Sequence, residues 1–496
     1  MTLLAYPDRV ISRPHADFRG AAACLSLLLL LGACAATPQR TEPPGPFDVP
    51  AAWSAGPTDE TSVVGADPSL SQWWRRFGDP LLEQLVAEAL QANTSVSTAQ
   101  AALRQSRALR DQAAAALSPT LGSSASAQRG WSGGDSTGNS LRAGLDAAWD
   151  LDLFGANRSA LEAGEYTASA SAASLGDVQV GVAAEVALGY ITLRAAQARL
   201  AIADDNLAIQ LETLQITQWR ELAGLVTTLE SEQARASAEQ TRAQRPGLQT
   251  AIAQAGHAIA VLTGQPPAAL NARLAAAMPV PQPAGMPALA IPAETLRQRA
   301  DVRAAEHRVS AAWARVDQAQ AQRLPNFRLS GTLGLSAATL GALGNGSAVI
   351  GSLLAGVTLP LFDGGAASAQ VDGQQAALEQ ARAAYSAAVL GALKEVEDAL
   401  AALRGDRERL LRLQAAADAA SNASELARQR FGSGLTDFQT VLDTQRTRLS
   451  TQDGVASASA DLSADHVRLF RALGGGWRDD DNRAAATAPA SSTPTP

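Results

Sequence analysis

Two rhythms of apolar and polar positions alternate along the chain. In the first, apolar residues recur at every second place. Leu141, Ala143, Leu145, Ala147, Trp149 and Leu151 fall on one face, with Arg142, Asp146 and Asp150 on the other. Phe327, Leu329, Leu333 and Leu335 likewise alternate with Arg328, Ser330, Thr332 and Ser336. A period of two predicts strands with two unlike faces. Two further strands are expected beside them, a Ser/Ala-rich one over Leu121 to Gln128 and a mostly apolar one over Val349 to Leu359. The segments "RGWSGGDSTGNS" and "AATLGALGNGS" join each pair.

In the second rhythm the apolar residues recur every seven. Val186, Leu193, Leu200, Leu207 and Leu214 are spaced this way, as are Val389, Val396, Leu403 and Leu410. A strict seven-residue spacing keeps one seam in contact only if the helices supercoil left-handedly. The stretch from Ser159 to Ala223 predicts a helix of about 65 residues, on the order of 100 Å long. That is too long for a compact domain. It reads either as an extended coiled-coil stalk or as the wall of a tube.

The two rhythms meet without a loop. In "AWDLDLFGANRSA" a strand runs through Phe154 and Gly155 and becomes helix, and "VTLPLFDGGAASA" repeats the change at Phe362, Asp363, Gly364 and Gly365. Glycine permits the backbone angles that such a corner requires. The repetition extends beyond these corners at an offset of roughly 206 to 210 residues, the signature of an internal duplication. Ser95 to Pro119 lies over Asp301 to Pro325, and "ELAGLVTTLESEQA" lies over "FGSGLTDFQTVLDTQR". Each half therefore reads helix, strand, strand, long helix, helix.

A two-faced strand of about ten residues suits a membrane barrel, apolar toward lipid and polar toward a lumen; a half-buried soluble sheet has the same pattern. Four strands cannot close a barrel, and an open edge in lipid leaves backbone groups unpaired. Strands in a membrane therefore require an oligomer. Two chains give eight strands and a filled interior, whereas three give twelve and room for an open lumen. With three, a barrel strand leading directly into a tube-wall helix makes the barrel lumen and the tube bore one conduit.

Composition removes other classes. Aromatic residues make up 4% of the 496 residues and the formal net charge is −8, with no basic stripe to hold nucleic acid. The 4 histidines form no helical metal-binding pair, and no P-loop, GxSxG elbow or CxxC is present, so neither metal, cofactor nor enzymatic activity is expected. Glu395, Glu397 and Asp398 in "KEVEDAL" read as a solvated helix face. At the N-terminus Arg9, Arg13 and Arg19 precede an apolar run from Ala21 to Leu31, too short to span a bilayer. The run ends in Leu31, Gly32, Ala33 and Cys34, which resemble a bacterial lipobox, so Cys34 is the expected lipidated residue of a mature chain. The other reading is a plain secretory signal cleaved near Ala33 or Ala36.

The organisation expected is thus a signal peptide over 1–33 and a lipid-anchored extended segment over 34–72. A first repeat over 73–270, a linker over 271–290, a second repeat over 291–474 and a disordered tail over 475–496 follow. Asp79 and Pro80 begin the first helical pattern.

Seven stretches, "WWRRFGDPLLEQLV", "WDLDLFGANR", "AEVALGYITLRAAQARL", "LPNFRLSGTLG", "VTLPLFDGG", "EVEDALAAL" and "RFGSGLTDFQTVLDTQR", occur in the order they take in the TolC-like outer-membrane factors. Between about Trp73 and Gly474 the chain resembles that family, specifically its lipid-anchored OprM/NodT-like branch. One departure is Arg299, Ala300, Asp301 where the family often has Arg-Pro-Asp, so that helix is expected to begin less sharply.

The resemblance implies a mainly α chain with membrane β. It implies a homotrimer whose twelve-stranded outer-membrane β-barrel, four strands per chain, continues as a long α-helical periplasmic tunnel. As partners it implies a periplasmic adaptor protein, an inner-membrane pump of the proton-driven kind and outer-membrane lipid, and no nucleic acid. The expected function is the passive exit duct of a tripartite efflux pump. A duct for type I protein secretion and a coiled-coil scaffold without a pore are the alternatives. Gly224 and Leu225, with Gly434 and Leu435, are expected at adaptor-docking tips. Asp443 matches the family's Asp at the inner constriction, and Gln439 one turn earlier adds an uncharged layer to this periplasmic gate. Three copies of Asp443 would form a carboxylate ring that favours cations.

Overall fold

The computed structural model describes residues 50–54, 68–131, 137–285, 292–344 and 346–475. Cys34, the leader, most of the segment before residue 68 and the tail beyond Gly475 lie outside them. A 3-10 helix over Pro68–Phe77 leads into α1 (Pro80–Ala92) and α2 (Thr94–Ala115). Strands β1 (Thr120–Trp131) and β2 (Thr137–Leu151) precede α3 (Ala156–Leu222) and α4 (Thr228–Leu262). Two short helices, α5 (Asn271–Leu274) and α6 (Pro292–Gln298), connect to the second half. That half runs α7 (Ala300–Ala321), β3 (Asn326–Ala337), β4 (Val349–Thr358), α8 (Ala366–Gly432) and α9 (Phe438–Ala472). The two halves therefore repeat one plan, and α3 and α8 are each 67 residues long.

The four strands form one antiparallel sheet in the order β1-β2-β3-β4, so the central pairing joins the two repeats. Its register sets Trp149 opposite Leu329 and Leu145 opposite Leu333 on one face, and Asp150 opposite Arg328 and Asp146 opposite Thr332 on the other. The alternation read from the sequence is thus the alternation of the sheet. At its centre Gly144 lies opposite Gly334. A Cβ on Gly334 would stand 2.6 Å from the Ala143 carbonyl oxygen, so only glycine lets the two backbones come this close. The strands run further than the pattern suggested. Arg129, Gly130 and Trp131 continue β1 and pair with Asn139, Gly138 and Thr137, where a connecting segment was expected. Backbone pairing overrides the turn-like composition there.

The largest core gathers where α1, α3, α4 and α9 meet. Trp73, Leu82, Leu85, Tyr190, Ile191, Ile259 and Phe470 are fully or almost fully buried in it. Trp73 stacks on Phe470 with ring centroids 5.4 Å apart. Its burial explains why Pro68–Phe77 is helical, although an extended segment was expected up to residue 72. The Asp79 carboxylate caps α1 by accepting from Leu81 and Leu82, and accepts a third bond from the Tyr190 hydroxyl at 2.6 Å. Burial, aided by that bond, pushes the Tyr190 hydroxyl up to about 12. Asn93 ends α1 and begins α2, where its side-chain oxygen accepts from Ser95 at 2.8 Å.

Two further expectations change. Of the expected linker over 271–290, the described residues 271–285 are anchored: Leu274 is buried, Gln197 donates to the Leu274 carbonyl at 2.8 Å, and Ser463 donates to the Pro281 carbonyl at 2.6 Å. These bonds fasten them to α3 and α9. Helix α7 begins sharply although it lacks the proline. Arg299 adopts an extended conformation ahead of it, and its buried guanidinium bonds Asp301 at 2.7 Å, Glu395 at 2.8 Å and the Ala472 carbonyl at 2.8 Å. The carboxylates of "KEVEDAL" keep the solvated face that was expected, with Glu395 and Asp398 exposed, and are paired there. Beyond Glu395 with Arg299, Glu397 accepts from the Ser54 backbone at 2.7 Å and Asp398 pairs with Lys394.

Candidate functional site

The places that matter for a conduit are the corners, the far ends of the long helices and the lining between them. At the first corner Gly155 takes the left-handed conformation, φ 83°, as the residue before α3. The Asp152 carboxylate closes the start of the helix, accepting from the Asn157 and Arg158 backbones at 3.1 and 2.8 Å. The second corner uses Gly364 and Gly365, φ 66° and 89°, and Asp363 accepts from Gly365 and Ala367 at 2.9 and 2.8 Å. Those backbone bonds hold the Asp363 carboxyl below the usual carboxylate range. Phe154 and Phe362, equivalent in sequence, diverge. Phe154 packs 6.3 Å from the Phe327 ring, whereas Phe362 is 93% exposed.

At the other end both hairpins turn in the same way. Gly224, φ 71°, follows α3, and Leu225 donates back to the Arg220 carbonyl at 2.8 Å. Gly434, φ 73°, follows α8, and Leu435 donates to the Arg430 carbonyl at 2.8 Å. This is the glycine-dependent Schellman closure. Each return helix is capped by its own polar residue: Thr227 donates its backbone N–H to Glu230 at 2.7 Å, and Asp437 accepts from Thr440 at 2.8 Å. Sequence reasoning missed Arg220. It crosses from the first hairpin to the second, lies 4.5 Å from the Phe431 ring centroid, and donates to the Phe431 and Gly432 carbonyls at 3.3 and 3.2 Å.

Gln439 and Asp443 lie on α9 just beyond the second tip, on an exposed face. Phe438, Val441, Leu442 and Gln445 occupy the buried one. Gln439 donates to Asp443 at 3.0 Å, so the two form one polar unit. Arg446, three residues on, pairs with the same carboxylate at 3.4 Å. The sequence reading left Arg446 out, although spacing of three on a helix is a signal for such a pair. Deeper along α9 its contact with α3 is polar. Gln445 donates to Thr213 at 2.9 Å, Asn206 to Gln452 at 2.9 Å, and Arg199 pairs with Asp453 at 2.6 Å.

Near its end α9 carries two buried titratable residues. Burial pushes Asp465 up to about 6; the ion pair with Arg468 opposes this and a hydrogen bond with Asp406 adds to it. Burial, reinforced by Arg407 and Arg76, lowers His466 to about 4. Among the described residues no three His, Cys, Asp or Glu come together as metal ligands.

This architecture is shared with known proteins. The family model described as "Outer membrane efflux protein" matches residues 85–265 and 291–475. The solvent efflux pump outer membrane protein SrpC of Pseudomonas putida is 31% identical over 477 residues, covering 92% of this chain and 98% of SrpC. Nodulation protein T of Rhizobium leguminosarum bv. viciae is 30% identical over 463 residues, covering 93% of this chain and 94% of its own. The solved outer-membrane channel OprN superposes with a TM-score of 0.78 at 36% identity, covering 85% of this chain and 98% of OprN.

Proposed function

The chain belongs to the outer membrane efflux protein family and is an outer-membrane efflux channel; from that premise we propose how its parts divide the work. Three copies close a twelve-stranded barrel, and the six hairpins of the trimer gather into a periplasmic tube. The observation that carries this reading is the pair of glycine corners. In both halves a barrel strand passes into a 67-residue helix with no intervening domain. Whatever enters the tube therefore leaves through the barrel.

In this reading the tips at Gly224, Leu225, Gly434 and Leu435 receive a periplasmic adaptor protein, and an inner-membrane pump, proton-driven, supplies the energy. The duct itself is passive. Cys34 carries the acyl chains that hold each copy to the membrane beside the barrel, several chains being needed for a stable anchor. Asp443 and Gln439 line the resting constriction near the periplasmic mouth.

The test is a planar-bilayer measurement on the purified trimer, paired with drug and metal susceptibility of a strain lacking the gene. Discrete channel conductance and restored resistance on complementation are expected. A trimer without conductance would reduce the protein to a scaffold. Intact mass spectrometry of the membrane form tests the anchor, with an unmodified Cys34 or a mature start elsewhere as the outcome against it.

A further inference from the structure

The faces of the sheet differ in more than hydrophobicity. By the pairing register, Leu121, Leu145, Trp149, Leu333, Leu353 and Val357 share one face, the lipid side of the barrel. Arg142, Asp146, Asp150 and Arg328 all lie on the other, toward the lumen. Among the described strand residues Arg129 is the one charged residue on the lipid side. It sits opposite the uncharged Asn139 and makes no ion pair among the described residues. Trp131, two residues on and on the same face, is 85% exposed.

The position of Arg129 along the barrel resolves the conflict between its charge and its face. Strand β1 enters from α2 at Thr120, and β2 leaves into α3 at Leu151. The helices mark the periplasmic end, so Trp131 stands at the end facing the cell exterior. Eight residues separate Arg129 from Leu121, roughly 26 Å along a strand and about 20 Å along the membrane normal at a tilt of about 40°. That approaches the height of the apolar band of a barrel, about 25 Å. A charge on the lipid face is costly at the midplane and tolerated near the interface, where tryptophan also concentrates.

We propose that Arg129 and Trp131 form a binding site on the outer rim of the barrel for the phosphate-bearing headgroups of outer-leaflet lipid, one site per protomer. The guanidinium supplies planar paired donors suited to phosphate, and the indole seats at the boundary between headgroup and acyl chain. The site lies outside the conduit and leaves transport to the lumen.

The inference rests on the barrel reading, and one preparation separates the two. The trimer is purified in mild detergent, exposed to lipid A and examined by native mass spectrometry, with single-channel conductance recorded in parallel. Wild type is expected to hold up to about three lipid A molecules. Arg129→Gln is expected to lose at least about threefold in occupancy at unchanged conductance, and Arg129→Lys to fall between. Trp131→Ala, which leaves the charge in place, is expected to weaken retention as well. Inorganic phosphate is expected not to displace the lipid; displacement by it at equal concentration would identify a free-anion site and overturn the proposal. A conducting Arg129→Gln trimer that retains lipid A as well as wild type overturns it too. A wild-type trimer that does not conduct would instead remove the barrel reading beneath it.

Discussion

The two hairpin tips have the same backbone and different surfaces. Both close through a glycine at φ near 70° and a leucine reaching back to an arginine carbonyl. Around the first tip, however, Trp219, Leu222, Leu225 and Leu229 are exposed. At the second, Phe431 and Phe438 turn toward each other with centroids 5.4 Å apart, and Phe438 is buried with Leu442 and Ala234 of the first hairpin. The first tip gives Arg220 and the second receives it. Duplication preserved the turn because only a left-handed glycine permits it. Side chains were free to diverge, so one tip holds the other and the second alone is followed by Gln439 and Asp443.

The comparison can be broken most directly at the turn. Gly434→Trp forces a bulky residue into a left-handed conformation that costs L-residues roughly 1–2 kcal/mol and blocks the surface where a partner would seat. Export should be lost, with trimer and outer-membrane location retained. Unchanged drug resistance would remove the second tip from docking, and Gly224→Trp then asks the same of the first.

The next effect is on the resting pore. Asp443→Ala should loosen it, lower its cation preference and weaken block by polyvalent cations. Because Arg446 stands beside Asp443, Arg446→Ala should shift selectivity the opposite way. Bilayer conductance and reversal potentials read both, and indistinguishable values for the pair would remove the ring from the mouth.

Arg220→Ala tests the link between the tips. It removes a cation–π contact and hydrogen bonds to two carbonyls, worth about 1–3 kcal/mol together. The hairpins should part more readily, seen as faster backbone hydrogen exchange at both tips and a higher resting conductance. A double-mutant cycle with Phe431→Leu should show coupling of at least about 0.5 kcal/mol. Additivity would mean that the tips are independent.

The smallest effect concerns the caps. Thr227 holds the Glu230 carboxyl below its ordinary range, and Thr440 does the same for Asp437. A carboxyl depressed in the folded state stabilises above its ordinary value, and the contribution fades as pH falls through the depressed one. Both tips should fray on acidification below about pH 4. Asp437→Asn should flatten this response at the second tip alone, measurable by hydrogen exchange over 438–441.

Much of this plan was legible because it is local. The corners announced themselves through Gly155 and Gly365 between unlike periodicities, and the seven-residue spacing found Val186, Leu193, Val389 and Val396, all buried. The period of two found the sheet's faces. What stayed hidden depends on residues distant in sequence. Nothing near Trp73 announces Phe470, nothing near Leu274 announces Gln197, and Arg220 meets Phe431 only because the hairpins lie side by side. The bonds from Leu274 and Pro281 to α3 and α9 were invisible for the same reason. Arg446 is the exception, since its spacing from Asp443 was there to be read.

The central pairing of the sheet also sets an order of events in time. Leu141 meets Ala337, so the two strand pairs cannot join until all of α3, α4 and α7 has been synthesised. Loop closure over so long a stretch is slow, and contacts of this range form late. The first strand pair must therefore wait with an unpaired edge on β2 while the helices that follow it are made. Exposed edges invite pairing with other chains, and charges and glycines on a strand discourage it. Arg142, Asp146 and Asp150 lie on that waiting edge strand, where their charges disfavour pairing with other chains until β3 has been made.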